Sequence, residues 1–65
     1  MDMRKLILEL EEVGMSQADI AREIGVSQGR VNQVRNAENI EVGFRGAATV
    51  KLLALHAVKL PQAAA

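Results

Sequence analysis

The stretch SQADIAREIGVSQGRVNQVR, residues 16–35, leaves the chain least freedom in how it folds. It opens twice with Ser-Gln, at Ser16-Gln17 and again at Ser27-Gln28. A serine at a helix start accepts a hydrogen bond from a backbone N–H that the helix itself leaves unpaired. After the first opening Asp19 stands three residues on, and Met15 and Ile20 occupy the flanking apolar positions of a capped start. The second opening repeats the serine and the apolar pair, as Val26 and Val31, with Arg30 where the acid would be. Between them, Gly25 supplies the backbone freedom for a tight turn. Two short helices joined in this way are expected to form a helix-turn-helix. Its inner face would hold Ile20, Ala21, Ile24, Val26, Val31 and Val34, with Ala21 small where the helices cross.

The flanking segments complete an all-α, compact four-helix domain. A first helix is expected from about Met3 to Val13, capped by Asp2 and ended by Gly14. Leu6, Ile7, Leu10 and Val13 make its buried stripe, with Glu9 and Glu12 mainly on the other side. Residues 36–43 read as a loop in which Ile40-Glu41-Val42 could be extended. The last helix lies within residues 44–60, starting near Gly46 or Ala47 and ending before Pro61. Residues 1–60 then form the domain and 61–65 a frayed, disordered tail.

The apolar residues of the last helix exceed one stripe. Val50, Leu53, Ala54, Ala57 and Val58 can share one face, while Leu52, Leu55 and Leu60 lean toward another. A domain of 65 residues buries a small core and gains from a partner. A homodimer seam is therefore expected on this helix, at Leu52, Leu55, His56, Lys59 and Leu60.

No cysteine is present, so disulfides and thiolate metal sites are excluded. His56 is the single histidine, which leaves nothing to build a metal or catalytic centre around. Met1, Met3 and Met15 read as terminus and gap-filling residues. No enzyme, cofactor or small-molecule ligand is indicated. The charged amino end supports neither a signal peptide nor a membrane span, and a cytoplasmic location is expected.

Formal net charge is zero, yet it is unevenly spread. Residues 1–29 carry three basic against six acidic side chains, and residues 30–65 carry five against two. A basic side can attract a polyanion whatever the total. On the third helix, Gln28, Gly29, Arg30, Asn32 and Gln33 avoid the core positions Val31 and Val34, and the helix holds no acid. Glutamine and asparagine amides pair with adenine edges and arginine with guanine, each good pair contributing about 1–3 kcal/mol of discrimination. These five are the expected base readers on double-stranded DNA. Ser16, Gln17, Ser27, Arg35, Asn36 and Arg45 are the expected phosphate contacts, which fix register.

The run Gln17-Ala18-Asp19-Ile20-Ala21, then Gly25-Val26-Ser27-Gln28, then Val31 and Val34, resembles the helix-turn-helix of the lambda-repressor-like and Cro family of phage and bacterial transcriptional regulators. The resemblance covers about residues 13–36. It implies a four- or five-helix domain that binds palindromic operator DNA as a homodimer. By position, Ala21 matches the family's helix-contact residue, Gly25 its turn glycine, and Val31 and Val34 its core pair. Gln17 matches the glutamine that holds phosphate and steadies the reading helix, and Gln28 the first base-reading position. Gly29, Arg30, Asn32 and Gln33 fall at its variable reading positions. The segment GFRGAATVK departs from the family's dimer segments. The competing expectation is a protein-interaction module, such as a small antitoxin or antirepressor, whose helix-turn-helix is structural.

Overall fold

Asp2 begins the first helix: its carboxylate accepts from the backbone N–H of Arg4 and Lys5 and so takes up donors that would otherwise be unpaired. In the computed structural model, which describes residues 2–39 and 42–61, four helices follow in chain order. They are α1 (Met3–Glu12), α2 (Gln17–Ile24), α3 (Gln28–Arg35) and α4 (Ala47–Lys59). The expected extended stretch at Ile40-Glu41 and the expected tail at 62–65 lie outside the described residues.

Both serines cap. The Ser16 hydroxyl accepts from Asp19 N–H at 3.0 Å, and Asp19 returns the bond by accepting from Ser16 N–H at 3.2 Å. This reciprocal box satisfies two orphan donors at once. Ser27 accepts from Arg30 N–H at 3.1 Å, without an acidic counterpart. Gly25 stands at φ 77°, ψ 32°, left-handed, where its N–H closes α2 onto Ala21. Residues with a Cβ rarely adopt that conformation. Only two residues then separate Gly25 from α3, and the angle between α2 and α3 is held close to the turn.

The core lies where the four helices meet. Ile7, Leu10, Ile20, Ile24, Val31, Val34 and Leu52 are fully buried, with Met3, Ala21 and Ala48 close behind. Leu6, Met15, Val26, Val42, Phe44, Leu55 and Leu60 pack around them. The expected inner face of α2 and α3 is thus present, with Val26 at its edge. α1 touches all three other helices and α2 packs on both α3 and α4, whereas α3 and α4 make no close approach.

Four expectations are corrected. Val13 is about half exposed because it lies past the last helical residue, as the C-cap of α1, where the backbone turns it off the stripe. Met3, read from the sequence as a terminus or gap-filling residue, is buried in the core at the opposite end of α1. Glu9 is half-buried, since its carboxylate reaches across to α4, where His56 Nε2 lies 3.0 Å from Glu9 Oε1. The fourth correction is the largest. Leu52 and His56, expected at a dimer seam, are buried within the chain, and Leu55 and Leu60 pack against the same core. Side chains recur every 100° around a helix, so Ala48, Leu52, Leu55 and His56 share the inward face, while Val50, Leu53, Ala54, Ala57 and Val58 look outward. Lys59 follows the inward face in angle but is exposed at the helix end.

Leu52→Ala should cost about 2–5 kcal/mol, the sum of lost transfer energy and a cavity. Val58→Ala should stay within about 0.5 kcal/mol, as its side chain stands in solvent. Urea melts of the two variants decide between the faces, and a reversed order would turn α4 the other way round.

Candidate functional site

The outward side of α3 is the polar surface that the first half of the fold is built to hold. Val31 and Val34 anchor the helix below. At 100° per residue Gly29 then stands at the centre of the opposite side, flanked by Asn32 and Gln33, with Gln28 at the amino end. All four are exposed. No acidic residue lies in the first turn of α3, so the dipole and free donors of its amino end face solvent without a carboxylate in front of them.

Gly29 differs from the glycines that the backbone needs. Its φ is not positive, unlike that of Gly14, Gly25 and Gly46. A Cβ built on Gly29 would meet nothing within 4 Å. Inside a helix glycine costs up to about 1 kcal/mol relative to alanine. The chain's own packing therefore gives no reason for glycine at this position.

Behind this face runs a polar chain that ties three helices. Asn32 donates its amide to Gln17 Oε1 at 3.2 Å, and Gln17 donates in turn to Glu11 Oε1 at 3.5 Å. Arg35 Nε donates to the other oxygen, Glu11 Oε2, at 2.7 Å, and Arg35 Nη1 to Asn36 Oδ1 at 3.0 Å. Glu11 is thus the hub that fixes the start of α2 and the end of α3 to α1. Sequence spacing assigned it no role, because Arg35 is 24 positions away. Arg4 was missed for the same reason: its guanidinium donates to the carbonyls of Ala37 and Glu38, pinning the chain that leaves α3.

Two arginines expected at the DNA have structural commitments. Arg30 is half-buried, donating to the carbonyl of Gly43 at 2.6 Å and to Gln33 Oε1 at 3.3 Å. It braces the segment that leads into α4, where Thr49 also donates its hydroxyl to the Phe44 carbonyl. Arg35 is half-buried against Glu11. Arg45 and Asn36 are exposed, as are Ser16 and Ser27, whose hydroxyls serve as caps. At the start of α2 the acidic Asp19 occupies the place that an anion would take, so this end differs from that of α3.

Asp19 also carries a titration consequence. Hydrogen bonds from Ser16, backbone first, and then Arg22 hold its carboxyl below the ordinary 3.8. Arg4 does the same for Asp2. Each carboxylate is favoured more in the folded chain than in the unfolded one. The stability they contribute is complete above the ordinary value and is lost as pH falls below it through the lowered folded value.

Among the described residues no cluster of three His, Cys, Asp or Glu is placed to hold a metal ion, and no helix is long and apolar enough to cross a membrane. No protein-family model matches the chain, and neither a curated protein nor a solved structure does. The functional reading therefore rests on the side chains themselves.

Glu11→Ala should lower stability by about 1 kcal/mol and shift the side-chain NMR signals of Gln17 and Arg35, whereas Glu12→Ala, next to it but exposed, should leave both in place. Unmoved signals in Glu11→Ala would remove the hub. On acidification from about pH 5 to about pH 2, the thermal midpoint of the parent chain should fall more steeply than that of Asp19→Ala, which starts lower at neutral pH. Parallel curves would mean that the Asp19 carboxylate does not contribute in this window.

Proposed function

We propose that this chain is a sequence-specific double-stranded DNA-binding regulator of transcription, akin to the lambda-repressor-like and Cro proteins. α2 and α3 form its helix-turn-helix, and α3 is the helix that enters the major groove. The observation that carries the reading is Gly29: a glycine at the centre of an exposed helix face, with no neighbour and no backbone need. A missing side chain there lets the helix backbone approach a groove floor closely. Around it, Gln28 and Gln33 offer amides that pair bidentately with adenine N6 and N7. Asn32, held by Gln17, offers a third.

Arg30 acts differently from the sequence expectation. Bound to Gly43, it positions the segment bearing exposed Arg45, and Arg45 reaches phosphate. The open amino end of α3, with Ser27 as cap, serves as a second phosphate contact. With few cations committed to phosphate, affinity for arbitrary DNA is low at physiological salt, and specificity comes from base edges. Occupying a promoter in this way would control access to it.

Gly29→Ala separates the fold from this function. It should raise stability by up to about 1 kcal/mol, because alanine is the better helix former and its Cβ meets open space. It should also weaken binding to DNA selected from a random pool by about tenfold, since the added methyl holds the helix off the groove. A variant that is more stable and binds equally well would remove Gly29 from the interface. Gln33→Ala should change the base preferred at one position of the selected sequence, by about 1–3 kcal/mol. If the parent chain retains no duplex even at low salt, the DNA reading is lost and a protein-interaction role replaces it.

A further inference from the structure

Asn32 is the exposed end of a row of side chains in which each member has one way to face its neighbour. The row starts at Glu11, which is half-buried. Its Oε2 accepts from Arg35 Nε at 2.7 Å, and its Oε1 accepts from the Gln17 amide nitrogen at 3.5 Å. A carboxylate accepts and never donates, while a guanidinium donates and never accepts. Gln17 therefore turns its NH2 group to Glu11, which leaves Gln17 Oε1 for the other side. There it accepts from Asn32 Nδ2 at 3.2 Å. Turning the Asn32 amide over would bring its Oδ1 against Gln17 Oε1, two acceptors with no proton between them. The carboxylate of Glu11 thus sets, two side chains away, which end of the Asn32 amide looks out. That end is Oδ1, with the second N–H left over. Asn32 is exposed, and its Oδ1 accepts from no described residue.

We propose that Glu11 and Gln17 are positioning residues that fix the class of base Asn32 reads: one with an exocyclic amine, adenine or cytosine. The inference rests on the reading of α3 as the groove helix and adds a direction to it. In the major groove adenine offers its N6 amine as donor and N7 as acceptor, and cytosine offers its N4 amine. An outward Oδ1 accepts from either amine, and with adenine the second N–H of Asn32 can serve N7. Guanine O6 and thymine O4 are acceptors and would meet Oδ1 oxygen to oxygen. A free asparagine escapes that repulsion by turning its amide over. Here the turn would leave the half-buried Gln17 oxygen without a donor, which is destabilising. Gln33 is held differently: Arg30 donates to its Oε1, so its NH2 group is untied and a second lone pair on the oxygen stays open. The position read by Gln33 is therefore an internal reference, since its orientation does not depend on Glu11.

Glu11→Gln tests the direction. With a carboxamide at position 11, Arg35 still requires the oxygen, so the new NH2 group faces Gln17. Gln17 then turns its oxygen to position 11 and its NH2 group to Asn32, and Asn32 turns Oδ1 inward and its N–H groups outward. Gln17→Leu cuts the row without reversing it and leaves the Asn32 amide free to turn.

The experiment is selection of bound sequences from random duplex DNA by the full chain and its variants. Asn32→Ala identifies the position that Asn32 reads, as the one where preference is lost. The parent should carry adenine or cytosine there. Glu11→Gln should invert the choice toward guanine or thymine, moving the ratio by about tenfold or more, and leave the position read by Gln33 unchanged. Gln17→Leu should admit all four bases at the Asn32 position, whatever its effect on overall affinity. Guanine or thymine there in the parent, or one ratio shared by the parent and both variants, overturns the inference and leaves the DNA reading standing. Specific binding in which no position depends on Asn32 does the same. A parent that retains no duplex at low salt overturns the DNA reading and this inference with it.

Discussion

The closure of α2 at Gly25, followed by the serine cap of α3 two residues later, is the constraint on which the rest of the structure depends. A left-handed residue at this point gives the chain one way to turn. Ser27 then removes the orphan donor that would otherwise resist a new helix start. With that corner fixed, Ile20, Ala21 and Ile24 on one side and Val31 and Val34 on the other are turned inward together and buried. Ile7, Leu10 and Leu52 fill what remains. The corner therefore precedes the core in the logic of the fold, and the polar side of α3 is a consequence of it.

The proposed reading face is rigid for a second reason, which lies in polar contacts. Burial of Val31 and Val34 sets which side of α3 looks out, but two valines alone would let a two-turn helix rock. The chain from Asn32 through Gln17 and Glu11 to Arg35 resists this by tying the carboxyl half of α3 to α1 and to the start of α2. Partly buried charge pairs of this kind add modest stability but strong orientation. Arg30 extends the same principle toward α4 through the Gly43 carbonyl. Positive charge that sequence inspection assigns to a nucleic acid is thereby spent partly on architecture, and the amides Gln28, Asn32 and Gln33 become the more important chemistry of the surface.

α4 illustrates how hydrophobic pattern and burial can diverge. Both its faces are apolar enough to be a core face, and Val50, Leu53 and Val58 are as hydrophobic as Leu52 and Leu55. The inward side is chosen by shape and by one polar pair. Leu52 is fully buried where α4 packs on α1 and α2, and the buried His56 finds in Glu9 a partner for its ring nitrogen. The turned-out valines are the remainder, left on the solvent side of the helix.

Helix starts and ends, the α2–turn–α3 corner and its inner face were legible in residues 2–35 because they rest on contacts three or four positions apart. Hydroxyl to N–H, glycine to turn and apolar stripe are all local, and the alphabet of side chains encodes them directly. The exposure of Gln28, Gly29, Asn32 and Gln33 followed from the same period. Which face of α4 turns inward, that Glu9 and Glu11 serve as anchors, and that Arg30 and Arg35 are partly engaged were decided only in three dimensions. Those partners stand 13, 24 and 47 positions apart. Contacts that distant depend on how helices dock, and docking is settled by the packing of the whole core, which no stretch of sequence carries alone.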